Sequence, residues 1–178
     1  MNTEKIKNIK FDLKDRVIDF AIRILSFSAI SLFLFSSCQK TEKYSDIPQI
    51  EFSGITKIFT PNNIVDKVVL KIAFTDGDGD IGLTQNDTLP PYDYNFFIKY
   101  FEKREGEFVE VVLADFSFNA RIPILTPEGR NKSIKGEIQD TIIINTMSVY
   151  DTIRFETYIV DRALHESNII TTPDVVTK

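Results

Sequence analysis

The stretch VVLKIAFT, residues 68–75, followed directly by DGDGDIG, residues 76–82, decides the fold. Val68, Leu70, Ile72 and Phe74 alternate with Val69, Lys71, Ala73 and Thr75. A period of two sends the first set to one face of a strand and the second to the other, so one face belongs to a core and the other mostly to solvent. The run that follows reads as a loop: Asp and Gly are turn formers, and three carboxylates in five residues repel one another unless water or a cation separates them.

Working outward, Tyr94 to Phe101 alternates again, and the charged run Glu102 to Glu107 leads into Phe108 to Leu113, which predicts a hairpin with a longer loop. Further strands are expected at Ile47–Phe52, Phe116–Ile124, Ile134–Asn145, Thr152–Val160 and Asn168–Val176, with no 3.6-residue apolar stripe among them. Pro61, Pro90, Pro91, Pro123 and Pro127 fall at strand ends or in loops, where a missing N–H does least harm. Seven to eight short strands in about 130 residues predict an all-β protein, an antiparallel β-sandwich.

Upstream, Ile24 to Phe35 is apolar for twelve residues. That is short of the roughly 20 a membrane-crossing helix needs and within the range of a signal-peptide core. Lys5, Lys7, Lys10, Lys14, Arg16 and Arg23 precede it, and the Phe35-Ser36-Ser37-Cys38 that follows resembles the lipobox of bacterial lipoproteins. The expectation is a signal peptide over residues 1–37, a lipid on Cys38, a polar tether over 38–46 and one domain over 47–178. The protein would then sit in the cell envelope, on the outer membrane, with the membrane as its partner through the lipid. Glu4, Asp12, Asp15 and Asp19 are unusual in a basic leader, as is Phe35 three places before the cysteine, so an uncleaved N-terminal helix is the alternative.

Composition excludes several classes. The 141 residues from Cys38 onward keep 15 of the 21 Lys and Arg and 22 of the 26 Asp and Glu, a formal charge of −7, which argues against nucleic acid. Cys38 is the only cysteine, so disulfides and thiolate metal sites are excluded. The single histidine, His165, lies two residues from Ser167 in a polar turn, too close in sequence for a nucleophile and its base. Glycines 77, 79 and 82 are interleaved with acids that would repel phosphate. The chain reads as a binding or structural module and not an enzyme; a small metal-dependent hydrolase is the remote alternative.

Asp76, Asp78 and Asp80 alternate with Gly77 and Gly79, whose freedom to take positive φ would let the three carboxylates converge. Such an oxygen-rich set suits calcium. The spacing overlaps positions one, three and five of an EF-hand loop, with Asp87 at position twelve, but position six is Ile81 where that loop needs Gly. A calcium loop on a β-scaffold fits better; a simple wet turn is the competing reading.

The segments KIAFTDGDGDIGL, residues 71–83, and DTIRFETYIVDRALHESNIITTPDV, residues 151–175, resemble a group of small lipoproteins of Bacteroidetes. The resemblance implies an immunoglobulin-like sandwich and brings no activity with it. Gln39-Lys40 followed by Glu42 resembles the short acidic signal that sends lipoproteins of that phylum to the cell surface, without its second acidic residue. If residues 68–75 form the second strand and 152–160 the sixth, the loops after them share one end of such a sandwich. Asp161 would then approach the three aspartates and complete the cation site, with Arg162 pairing a neighbouring carboxylate; otherwise Asp161 merely starts a turn.

The aromatic residues offer a second candidate site. Phe97 and Phe101 point away from Phe96, Ile98 and Tyr100, and Tyr158 points away from Phe155 and Ile159. If the two strands are neighbours, Phe97, Phe101 and Tyr158 share an outer face. Exposed, it would be a glycan or protein contact, as in a surface glycan-binding lipoprotein of a polysaccharide-uptake system; covered, it would be core.

Overall fold

The computed structural model describes residues 43–113, 116–125, 133–144 and 148–178. Cys38, the expected signal peptide and residues 38–42 of the expected tether lie outside them. Glu42–Lys178 forms one compact unit that holds every strand and the whole hydrophobic core described here.

The described part is all-β. Its strands are β1 Gln49–Phe59, β2 Val65–Asp76, β3 Phe96–Arg104, β4 Glu107–Glu110, β5 Ile134–Ile143, β6 Thr152–Ile159, β7 Ile170–Thr171 and β8 Val175–Val176. They make two antiparallel sheets, one ordered β1-β2-β5 and the other β4-β3-β6-β7, with β8 also on β6. The sheets face one another across a single core. Val68, Leu70, Ile72 and Phe74 of β2 and Ile142 of β5 meet Phe96, Ile98 and Tyr100 of β3 and Ile153, Phe155 and Ile159 of β6. The alternation of residues 68–75 is therefore the alternation of a β-sandwich layer.

β4 ends at Glu110, short of the expected Leu113, and four other expected elements differ for physical reasons. β1 runs on to Phe59 because a bulge between Phe52 and Gly54 resets its pairing with β2 and breaks the period of two that marks a strand in sequence. The Glu102 to Glu107 turn is shorter than read: β3 continues to Arg104, and Glu105 (φ 52°) with Gly106 (φ 93°) makes a two-residue turn. Glu102 is buried instead, receiving hydrogen bonds from Arg104 at 2.7 Å, Ser148 at 2.6 Å and Tyr100 at 3.4 Å. Burial pushes its carboxyl up, but those donors outweigh burial and leave it below its ordinary value.

Phe116–Ile124 is not a strand. Its backbone pairs through isolated bridges, Ala120 to Phe96 of β3 and Pro123 to Leu83 of the loop after β2. Pro123 has no N–H to offer, and side-chain amides take over the backbone's partners: the Ile98 N–H donates to Asn119 Oδ1, and Asn95 bonds Ile122 through both amide atoms. Pro173 likewise splits the expected C-terminal strand into β7 and β8.

Phe155 is fully buried, whereas Phe97 lies half-buried on the outer face. Phe155→Ala is expected to cost about 3–5 kcal/mol in urea unfolding and Phe97→Ala clearly less. Equal losses would place both rings in one core.

Candidate metal centre

β2 ends on Asp76, and its inward alternation carries that carboxylate to the end of the core: Val68, Leu70, Ile72, Phe74 and Asp76 are all buried. The chain then turns back through Gly79 (φ 70°) and Gly82 (φ 113°), conformations that glycine adopts without strain. Between them Ile81, wholly buried, plugs the core, and its N–H donates to Asp76 Oδ2 at 3.2 Å. An apolar plug is why Ile stands where an EF-hand would have Gly.

One oxygen from each of Asp76, Asp78 and Asp80 lies within 4.8 Å of the others. Asp76 is wholly buried and Asp80 retains 9% exposure. Asp76 Oδ1, Asp78 Oδ1 and Asp80 Oδ1 are all buried with no hydrogen-bond partner. Burial chiefly drives the Asp76 carboxyl up to about 6, the Ile81 N–H opposing it and the charges of Asp78 and Asp80 adding to it. Asp80 is raised too, by burial and then by Asp161 and Asp78, while Arg162 and the Ala163 N–H pull the other way. An unpaired buried carboxylate is expensive, and three together need protons or a cation.

The 19-residue loop from 77 to 95 is pinned from two sides. Arg121 donates to the carbonyls of Thr84 (2.9 Å), Tyr92 (2.9 Å) and Asp93 (2.6 Å). From the turn after β6, Arg162 donates to the Gly82 carbonyl at 3.0 Å, and Tyr92 donates to the Arg162 carbonyl at 3.4 Å. The loops after β2 and β6 thus meet at one end of the sandwich.

Asp161 does lie beside Asp80, but its own oxygens are engaged. Oδ1 accepts the His165 N–H at 2.7 Å and Oδ2 faces His165 Nδ1 at 2.9 Å. It orders a turn in which Leu164 is held at φ 66°, and it stands outside the convergent trio. Arg162 bonds a carbonyl, not a carboxylate, though its charge favours the ionised Asp80. Asp87 caps its own turn by accepting the Thr84 N–H at 2.7 Å. Ser167 Oγ accepts the Ile159 N–H and donates to the Asn168 carbonyl, so His165 and Ser167 do not pair with each other.

Phe97 and Tyr158 stack face to face, with centroids 4.8 Å apart and planes 8° from parallel. They line a groove of about 280 Å³ with Lys99, Glu110, Val112 and Phe116. Phe101, paired opposite Arg154 on β6, lies under that guanidinium at 5.4 Å and does not line the groove. The three rings share the outer face without forming one open platform. What the sequence reading missed is the polar sewing of the long loop by Arg121, Asn95 and Arg162; no local pattern marks an arginine that bonds carbonyls 28 to 80 residues away.

No protein-family model matches the chain, and no curated protein sequence matches it either.

The raised Asp76 carboxyl fixes a pH dependence. In the window between its unfolded value near 3.8 and its folded value of about 6, the folded state holds more protons, so stability falls as pH rises. Asp80 and Asp140, also raised, act in the same direction, while Asp87, Glu102 and Glu137, all lowered, act against it at the acid end. In chelator, the unit Glu42–Lys178 is therefore expected to melt several degrees higher at pH 5 than at pH 7. Asp76→Asn should flatten that slope and raise the pH 7 midpoint. A wild-type midpoint that rises from pH 5 to pH 7 in chelator would contradict the assignment.

Proposed function

We propose that this chain is a lipid-anchored module of the cell envelope whose single immunoglobulin-like sandwich binds calcium at Asp76, Asp78 and Asp80, and that it serves as a binding or structural unit. The observation that carries the calcium reading is a pair of facts about the three carboxylates: one oxygen of each lies within 4.8 Å of the others, and each holds a buried oxygen with no hydrogen-bond partner. One calcium with oxygen ligands at about 2.3–2.6 Å spans about 5 Å between opposite ligands, so one ion answers all three. Three ligands from one short loop suit the weak, millimolar sites of extracellular modules better than a tight buffer site.

The immunoglobulin-like reading is supported by the strand order: the first, second and fifth strands share one sheet, and the third, sixth and seventh share the other with the fourth added beside the third. The anchor rests on Cys38 and the apolar segment before it. A binding or structural role is favoured over catalysis because the His165 ring faces Asp161 and the Ser167 hydroxyl is spent on backbone groups.

A ligand that binds only the folded state stabilises it by about 2.7 kcal/mol at one hundred times its Kd. Calcium should raise the melting midpoint of Glu42–Lys178 at pH 7, and Asp78→Asn or Asp80→Asn should each shrink the rise. Asp161→Asn should lower the midpoint with and without calcium while leaving most of the rise, since its oxygens serve His165. Identical midpoints in calcium and chelator would remove the metal site.

For the anchor, Cys38→Ala is expected to abolish labelling by fatty acid in cells. Wild type that takes up no label would refute the lipid.

A further inference from the structure

The segment that enters the domain sits on the acidic loop itself. The Gly77 N–H, between the first two carboxylates of the trio, donates to the Ser45 carbonyl at 2.7 Å, and the Tyr44 N–H donates to Ser133 Oγ at 3.3 Å. A Cβ on Gly77 would stand 2.5 Å from the Tyr44 carbonyl oxygen, 2.7 Å from Asp46 Oδ1 and 2.7 Å from the Ser45 carbonyl carbon. Unlike Gly79 and Gly82, Gly77 has no positive φ. Its glycine is required by the close approach of residues 44–46 and not by the turn. The expected tether therefore ends earlier than residue 46: Tyr44 to Asp46 already belongs to the folded unit.

The same few backbone atoms thus position the carboxylates of Asp76 and Asp78 and form the seat of residues 44–46. We propose that the acidic loop is a cation-operated clamp on this entry segment. It rests on the calcium reading above. With the ion bound, the loop is drawn into the shape that accepts Ser45; with the ion gone at neutral pH, three mutually repelling carboxylates loosen the loop and the segment leaves. Release of three residues would lengthen the free chain ahead of the domain by about 10 Å. Linkage makes the coupling reciprocal, so the seated segment strengthens calcium binding by the factor by which calcium strengthens seating.

Glu42–Lys178 carries its own core and serves as the test protein. Amide exchange and calcium titration calorimetry are run on wild type, on Gly77→Ala, on a chain beginning at Ile47, and on the combination. Calcium is expected to slow exchange at the Tyr44 and Gly77 amides. Gly77→Ala and the shortened chain should each weaken calcium binding by about fivefold. Gly77→Ala should cost nothing more in the shortened chain, where its Cβ no longer meets residues 44–46. Calcium that binds but leaves both amides unchanged overturns the clamp and spares the metal site, as does a Gly77→Ala effect of equal size in both chains. Absence of any calcium heat or thermal shift overturns both. If the shortened chain fails to fold, wild-type exchange at Tyr44 with and without calcium decides.

Discussion

The structure turns on one electrostatic constraint: the strand at the centre of the three-stranded sheet delivers a carboxylate, Asp76, to the closed end of an apolar core, and the next four residues add two more. A single buried carboxylate can be satisfied by hydrogen bonds, as Glu102 is at the other end of β3, where Arg104, Ser148 and Tyr100 surround it. The aspartate trio receives far less. The Ile81 and Ala163 N–H groups and the nearby charge of Arg162 are its main compensation, and one oxygen of each carboxylate is left without a partner. The contrast between these two buried acidic sites separates a structural ion pair from a cluster that could hold a metal ion.

Much else at this end of the sandwich follows from holding that loop still. Ile81 and Leu83 sink into the core, Arg121 ties the middle of the loop to the segment before β5, and Arg162 ties Gly82 to the turn after β6. Asp161 and His165 make that turn rigid, so the Ala163 N–H is presented to Asp80 at a fixed place. Asp161 thus shapes the site through the backbone instead of lending it an oxygen. The entry segment completes the enclosure at Gly77.

The sheet layers were legible wherever a strand keeps its period: residues 68–75, 96–101 and 152–159 show their inner and outer faces in the sequence alone. The period was lost at the bulge in β1, and at residues 116–124, where apolar spacing imitates a strand but asparagine side chains and Pro123 divert the hydrogen bonds. The aspartate trio was legible because its three members are neighbours in sequence. The use of Asp161 was only half legible: topology brings it to the loop, but its pairing to His165 four residues later depends on a turn geometry that residue types do not encode. Gly77 was read for its backbone freedom, whereas its reason is a steric approach by residues distant in sequence.

The most direct measurement is a crystal structure of Glu42–Lys178 grown at pH 7 in calcium, with the ion located by its anomalous scattering. The account predicts one peak at about 2.3–2.6 Å from an oxygen of each of Asp76, Asp78 and Asp80. A calcium-grown crystal in which those carboxyls share protons with one another, and no ion stands among them, would contradict it.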